Sequence, residues 1–114
     1  MIGTVGVNPS FTNFGETRPM RGGWVYIVTN RPNGTLYTGV TADLIRRVHE
    51  HRTGEVQGFT SRYGLGRLAW FEFHDEIVSA IAREKSIKNW SRADKVRMIR
   101  AMNWDWVDLY PSLL

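Results

Sequence analysis

The stretch LYTGVTADLIRRVHEH, residues 36–51, joins a strand to a helix and carries polar side chains at the junction. Its first residues alternate in polarity, as in a half-buried strand. Thr41 is predicted to cap the following helix, with Asp43 in the favourable first turn. The apolar side of this helix comprises three residues: Leu44, Ile45 and Val48.

The segment before this stretch predicts the rest of a β-hairpin. WVYIVT, residues 24–29, is an apolar, aromatic and β-branched run typical of a buried strand. NRPNG, residues 30–34, contains the Asn-Gly pair that favours a tight turn. The chain returns as TLYTGV, residues 35–40, so the two strands are expected to pair antiparallel.

The chain beyond the first helix predicts one more strand and two more helices. The Gly-rich segment 54–66 is expected to be a loop, and RLAWFEF, residues 67–73, a third strand. Asp75 is expected to cap the second helix. SRAD, residues 91–94, has the spacing of a capping box and opens a third helix that reaches about Met102.

The element order β-β-α-β-α-α predicts an α+β domain with a small three-stranded antiparallel sheet flanked by helices. The chain of 114 residues fits a single domain, which we assign to residues 21–114. Residues 1–20 have no apolar period, so we expect a flexible tail, with Met20 as a candidate native start. Three residues near the C-terminus are expected to fold back on the core: Trp104, Trp106 and Leu109.

Positive charge is concentrated in the middle of the chain. Residues 21–100 hold 14 Lys and Arg against 8 Asp and Glu. A basic domain suits a polyanionic partner such as nucleic acid. The lack of cysteine excludes disulfide-linked partners and thiolate metal sites. Neither a signal peptide nor a membrane-spanning apolar run is recognisable, so a cytoplasmic protein with no membrane partner is expected.

Glu84 stands out because it falls inside the apolar stripe of the second predicted helix. That stripe comprises Ile77, Ala80, Ile81 and Ile87. A carboxylate turned toward a sheet is costly unless it is paired or binds a metal ion. The competing interpretation is a boundary residue that pairs with Arg83, Lys85 or Lys88.

Two tyrosines and two helical side chains are expected to meet near Glu84. Arg47 and His51 share one helix face at i and i+4, although a solvated face with Asp43 paired to Arg47 is the ordinary alternative. Tyr26 and Tyr37 lie on the hairpin strands, where tyrosine more often belongs to a core. The five residues together predict one cluster on one sheet face: Tyr26, Tyr37, Arg47, His51 and Glu84.

These residues, in this order, resemble the GIY-YIG endonuclease superfamily, in particular its small stand-alone bacterial members. The resemblance spans about residues 22–102. The first family signature corresponds to residues 24–26 (WVY) and the second to residues 37–39 (YTG). Trp24 stands where the first signature has Gly, and Thr38 replaces the apolar middle residue of the second.

The resemblance also extends to the polar residues. The family's helix arginine, eight residues after the second-signature Gly, corresponds to Arg47. A histidine one turn later in several members corresponds to His51, and the family's metal-binding glutamate to Glu84. A Gly at position 39, taken alone, more often marks a bulge or bend in a strand.

The resemblance implies phosphodiester hydrolysis with one divalent metal ion, Mg²⁺ or Mn²⁺, held by Glu84. Tyr26 or Tyr37 would orient or deprotonate the attacking water, with Tyr26 ranked first. Arg47 would lower the tyrosine pKa and stabilise charge on the phosphate. His51 would share the proton transfer.

A DNA endonuclease in repair or processing is therefore the expected function, with DNA ranked ahead of RNA as the partner. Four basic residues are expected to hold the nucleic-acid backbone: Arg62, Lys88, Arg92 and Lys95. The alternative is a nucleic-acid-binding module that keeps the fold with weak or no catalysis. A third hypothesis, a protein-interaction domain, rests on the aromatic C-terminal segment. The sequence does not specify an oligomeric state.

Overall fold

The central strand of the sheet is an almost uninterrupted buried run, which explains its apolar sequence. A computed structural model describes residues 22–55 and 58–114, so the expected tail, residues 1–20, lies outside the described residues. Three strands pair antiparallel in the order β2-β1-β3. They are β1 (Gly23–Thr29), β2 (Leu36–Thr41) and β3 (Arg67–His74).

Helices lie on both faces of this sheet, so the predicted α+β class and three-stranded sheet are confirmed. The helices are α1 (Leu44–Thr53), α2 (Phe59–Tyr63), α3 (Ile77–Lys88) and α4 (Arg92–Met102), followed by a 3₁₀ turn (Tyr110–Leu113). Helix α2 corrects the expectation of a loop over residues 54–66. It is a single short turn between Gly58 and Gly64, too short to show an apolar period.

The start of α1 differs from the prediction by two residues. Asp43, not Thr41, is the N-cap, and its carboxylate accepts a hydrogen bond from the Arg46 amide at 3.2 Å. Thr41 instead accepts a hydrogen bond from the Asp43 amide at 3.1 Å, which positions the capping residue. The helix ends at Gly54 in the left-handed conformation, as its sequence indicates.

Of the predicted N-caps of α3 and α4, the first is wrong and the second is confirmed. Helix α3 begins after Glu76, not Asp75, and Glu76 makes no side-chain capping bond. The Ser91 hydroxyl accepts a hydrogen bond from the Asp94 amide at 3.1 Å, so the predicted cap of α4 is confirmed.

The two faces of the sheet have different neighbours. Val25 and Ile27 of β1 pack in one buried cluster with residues of α3 and α4, among them Ile87 and Ile99. Alternate residues of the same strand point the other way and form a second cluster with α1 and the segment before β3. That cluster comprises Tyr26, Val28, Leu44, Val48, Leu65 and Leu68.

Three residues predicted to be apolar contacts are exposed instead. Ile45 is 43% exposed because the buried stripe of α1 runs through residues 44, 48 and 51. Ile81 is 38% exposed for the same reason in α3. Trp104 is exposed and covers the guanidinium of Arg100, whereas Trp106 and Leu109 do pack on the core as expected.

Candidate active site

A buried hydrogen bond between a strand tyrosine and a helix histidine is the centre of the site. The Tyr26 hydroxyl lies 2.9 Å from Nε2 of His51. Tyr26 is in the central strand β1, and His51 closes the buried stripe of α1. The Tyr37 ring centroid is 5.8 Å from that of His51, so both predicted tyrosines meet this histidine.

Gly39 makes room for the Tyr26 ring. The two residues are partners in the β1–β2 ladder, and a Cβ atom at position 39 would lie 2.5 Å from both Cζ and Oη of Tyr26. The glycine of the second signature is therefore required by close approach and not by a bend in the strand. Since Tyr37 is two residues away on the same strand, its side chain shares this face of the sheet.

Arg47 lies beside the Tyr26 hydroxyl and is steadied by an acidic neighbour. Its guanidinium donates a hydrogen bond to Oε1 of Glu50 at 3.1 Å, while Arg46 donates to Oε2 of the same carboxylate at 3.2 Å. The expected pairing with Asp43 is not formed, because that carboxylate caps the helix. Arg47 keeps part of its side chain accessible to a ligand.

Burial controls the protonation of the central pair. It raises the pKa of Tyr26 to about 12, although the neighbouring Arg47 charge acts in the opposite direction. Arg47 thus acts in the expected direction on Tyr26, but burial outweighs it, so the expected net lowering of the tyrosine pKa does not occur. Burial, followed by the charge of Arg47, lowers the pKa of His51 to about 4, so this imidazole is neutral at physiological pH.

Glu84 is 8% exposed and lies on the buried stripe of α3 between Ala80 and Ile87, as predicted. Its Oε2 is 2.5 Å from Nζ of Lys88, one turn later, and this contact raises the pKa of the lysine. The alternative to metal binding, an ion pair with a neighbouring basic residue, is thus formed with Lys88.

Lys88 connects Glu84 to the tyrosines. Its Nζ is 6.0 Å from the centroid of the Tyr37 ring. The expectation of a single sheet face is wrong for Glu84, since its helix packs with Val25 and Ile27 on the face opposite to Tyr26. Strand β2 is at the edge of the sheet. Lys88 can therefore reach around it and link Glu84 on one face to Tyr37 on the other.

The four basic residues predicted to hold a nucleic-acid backbone are in different situations. Arg92 donates hydrogen bonds at 2.8 Å to the carbonyl groups of Asn33 and Gly34, and so fixes the hairpin turn. Lys88 is paired with Glu84. Arg62 is exposed on α2, and Lys95 is half-buried on α4.

The metal-binding capacity of this site rests on one carboxylate. Within residues 22–55 and 58–114, no group of three or more His, Asp or Glu side chains is arranged to hold a metal ion. A single glutamate suits Mg²⁺ or Mn²⁺, because Mg²⁺ keeps several water ligands and often takes only one or two carboxylates. The Lys88 ammonium already contacts this carboxylate, so a metal ion would have to displace it.

Two contributions to the site were missed at the level of the sequence. Glu50 positions Arg47, and Phe59 of α2 lies 6.5 Å from the Tyr37 ring between centroids. The spacing of Arg47 and Glu50, three residues apart on a helix, could have suggested the first. No local pattern could have suggested the second. None of the helices in the described part of the chain has the length and apolarity needed to cross a membrane.

Comparison with known proteins identifies relatives of this chain. A UPF0213 protein of Haloquadratum walsbyi is 39% identical over 75 residues, covering 66% of this chain and 83% of the relative. A UPF0213 protein of Staphylococcus saprophyticus is 33% identical over 76 residues, covering 67% and 92%. The solution NMR structure of a UPF0213 protein from Bacillus halodurans aligns with a TM-score of 0.49 and 26% identity, covering 76% and 92%.

The family model of the GIY-YIG catalytic domain matches residues 22–97. This span includes both signatures and all five residues of the predicted cluster, so the resemblance seen in the sequence is confirmed. The chain therefore belongs to the GIY-YIG nuclease family.

Proposed function

We propose that the protein is a DNA endonuclease that hydrolyses phosphodiester bonds with one divalent metal ion, in DNA repair or processing. The observation that supports this most is the buried Glu84 carboxylate, which contacts Lys88, whose ammonium lies 6.0 Å from the ring of Tyr37 next to His51. A carboxylate kept this far from solvent carries a desolvation penalty, and cation binding is a function that would justify it.

Glu84 would hold Mg²⁺ or Mn²⁺, and the bound ion would stabilise negative charge on the leaving oxygen. Lys88 must release the carboxylate before Glu84 can act as a ligand, since the two charged groups are in direct contact. The released ammonium, already close to Tyr37, would then be available to a phosphate of the substrate.

The Tyr26–His51 hydrogen bond offers a path for the proton of the attacking water. With the histidine proton on Nδ1, Nε2 accepts the phenol proton while the phenol oxygen accepts a proton from water. The imidazole is neutral and so able to accept that proton. A bound phosphate would offset the Arg47 charge, which helps to keep the pKa of His51 low, and would make His51 a stronger base.

Arg47 would bind the non-bridging oxygens of the phosphate. It lies beside Tyr26, is partly accessible, and is held in place by Glu50. A fixed guanidinium aimed at developing negative charge lowers the barrier more than a mobile one. Tyr37, half-buried next to His51, would orient the water and the adjoining nucleotide.

The Lys88–Glu84 contact also favours a second candidate, a nucleic-acid-binding module with weak or no catalysis. In that case Lys88 would neutralise the carboxylate permanently and no metal ion would bind. The two candidates differ in what happens when Glu84 loses its charge.

Replacing Glu84 by Gln tests the proposed function. In Mg²⁺, we expect the cleavage rate at saturating DNA to fall by at least about 10²- to 10³-fold, the loss that follows removal of one transition-state charge contact. DNA binding without metal should persist, because the basic side chains remain. Melting temperature should be preserved or raised, since a desolvated charge is removed.

Glu76→Gln is the matched control, because Glu76 is an exposed carboxylate at the N-cap of the same helix and makes no side-chain capping bond. It should cleave at the wild-type rate. Cleavage by purified Glu84→Gln at the rate of this control would exclude Glu84 as the metal ligand. Wild-type protein that binds DNA but fails to cleave in Mg²⁺ or Mn²⁺ would support the binding module.

A further inference from the structure

Three aromatic rings form a row that leads from the candidate active site to the surface of α2. Tyr37 and Phe59 have centroids 6.5 Å apart and an interplanar angle of 31°. Phe59 and Tyr63 follow at 4.8 Å. The row begins at Tyr37, whose ring also contacts His51, so it is continuous with the residues that would surround the phosphate.

The outer two rings are each about half exposed. Phe59 is 49% exposed and Tyr63 47% exposed. They are four residues apart and share one side of α2, whereas Thr60 on the other side is buried. The Leu65 amide donates a hydrogen bond to the Thr60 carbonyl at 2.9 Å, and Leu65 is in the core. The helix is thus anchored on one side while its aromatic side faces outward.

We propose that Phe59 and Tyr63 form a stacking platform for an unpaired DNA base next to the phosphate held at the active site. This inference rests on the proposed function and specifies its substrate class: DNA in which the nucleotide beside the scissile bond is unpaired or splayed from its helix. Single-stranded regions and strand junctions have such nucleotides.

The surroundings favour a nucleic-acid strand over an apolar peptide. Arg62 is exposed on the same short helix, between the two aromatic residues in sequence. Alternating basic and aromatic side chains are typical of grooves that bind single strands, where the cations follow the phosphates and the rings stack on bases. The continuity with Arg47, through Tyr37 and the Tyr26–His51 pair, places a phosphate-binding group at the inner end of the row.

The platform requires an unpaired base because a base within a duplex already stacks on both faces. Only a base that has left the DNA double helix offers its flat surface to Phe59 or Tyr63. The platform therefore contributes to binding of a single strand and contributes nothing to binding of an intact duplex.

A measurement of equilibrium binding tests this inference. It is made without divalent metal, so that the DNA is not cleaved. The probe is a short DNA oligonucleotide containing 2-aminopurine, whose fluorescence reports stacking, used as a single strand and as the matched duplex. Phe59→Ala should weaken single-strand binding by roughly 5- to 100-fold, the effect of removing one base–aromatic contact. Duplex affinity should stay within about twofold of wild type by the same argument.

Two further variants separate stacking from loss of apolar surface. Phe59→Trp keeps a flat ring and should retain both affinity and 2-aminopurine quenching. Phe73→Ala removes an equally exposed aromatic side chain, 50% exposed on β3, and should leave single-strand affinity unchanged. The fold of each variant is checked by its melting temperature.

Equal losses for single strand and duplex, or unchanged quenching in Phe59→Ala, would overturn the inference. Tighter binding of RNA than of DNA of the same sequence would overturn its assignment to DNA. These results are independent of the Glu84→Gln experiment, which measures cleavage. Normal metal-dependent cleavage of duplex DNA without any Phe59 effect would reject the platform and leave the proposed nuclease in place.

Discussion

The two faces of the central strand differ in what they bury. On one face, Val25 and Ile27 contact apolar residues of α3 and α4. On the other, Tyr26 places a hydroxyl against His51 within an otherwise apolar cluster. The first face stabilises the domain through burial alone, whereas the second places two titratable groups in an environment that opposes their ionisation. The titratable pair of the candidate site therefore lies on one face of β1, while Glu84 approaches from the helix layer on the apolar face.

The largest expected effect on stability comes from the apolar face. Ile27→Ala removes a fully buried side chain and should lower the free energy of unfolding by about 2–5 kcal/mol. Urea denaturation measures the change. The candidate catalytic residues remain in place, so any cleavage at low temperature should follow the folded fraction.

Tyr26→Phe is the matching change on the other face and should reduce cleavage more than it reduces stability. It removes one hydroxyl and leaves Nε2 of His51 without its partner, a loss of about 1–3 kcal/mol. Cleavage by the folded variant should fall well beyond its loss of stability. A variant that cleaves normally once folded would remove Tyr26 from the proton path and would favour Tyr37.

The third expected effect is a pH dependence confined to the polar face. The pKa of His51 is lowered to about 4, so the fold favours the neutral imidazole. Its contribution to stability is complete above the unfolded pKa of about 6.5 and is lost as pH falls through the folded value. Wild-type protein should therefore lose on the order of 2 kcal/mol between pH 7 and pH 4.5 from this group.

His51→Gln should lack this part of the pH dependence. The comparison is made above pH 4.5, because paired carboxylates with lowered pKa values, such as Glu72 and Asp108, lose their contributions at lower pH. Urea denaturation at several pH values gives both curves. Parallel curves for wild type and variant would show that folding does not lower the pKa of His51.

The smallest expected effect concerns the contact between Lys88 and Glu84. Lys88→Met removes the ammonium that occupies the Glu84 carboxylate, so Mn²⁺ affinity in the absence of DNA should rise by roughly 5- to 10-fold, as expected for the loss of one nearby like charge. Mn²⁺ titration followed by electron paramagnetic resonance measures this directly.

Lys85→Met is the control, since Lys85 is an exposed lysine of the same helix. It should leave the Mn²⁺ affinity near that of wild type. Equal affinities in all three proteins would mean that Lys88 does not compete with the metal ion.

Local patterns predicted much of this fold. The three strands, the end of α1 at Gly54 and the Ser91 cap follow from short-range signals that act within a few residues. The burial of Glu84 followed from its place in a helical stripe. Errors arose where two neighbouring residues could serve equally well, as with Asp43 and Thr41, because the choice depends on the exact entry of the chain into the helix.

The residues of the candidate site were predicted from their order along the chain, but their physical state was not. The sequence offered Arg83, Lys85 and Lys88 as partners for Glu84, and Lys88 forms the contact because residues at i and i+4 share a helix face, whereas the two residues adjacent to Glu84 do not. The sequence also suggested that Arg47 would lower a tyrosine pKa. Burial of Tyr26 against Gly39 and His51 outweighs that charge and raises the pKa.

What the sequence determined by itself was the three strands, the three longer helices, the family signatures and the identity of the polar cluster, because periodicity and turns are local properties. The single turn of α2 is too short to show a period. The tertiary structure decided the rest: which helix covers which face, how Glu84 comes near the tyrosines from the opposite side, and how Phe59 continues the row from Tyr37. These features depend on contacts between residues distant in the chain. Such contacts set the electrostatic environment of Tyr26 and His51, which no short segment encodes.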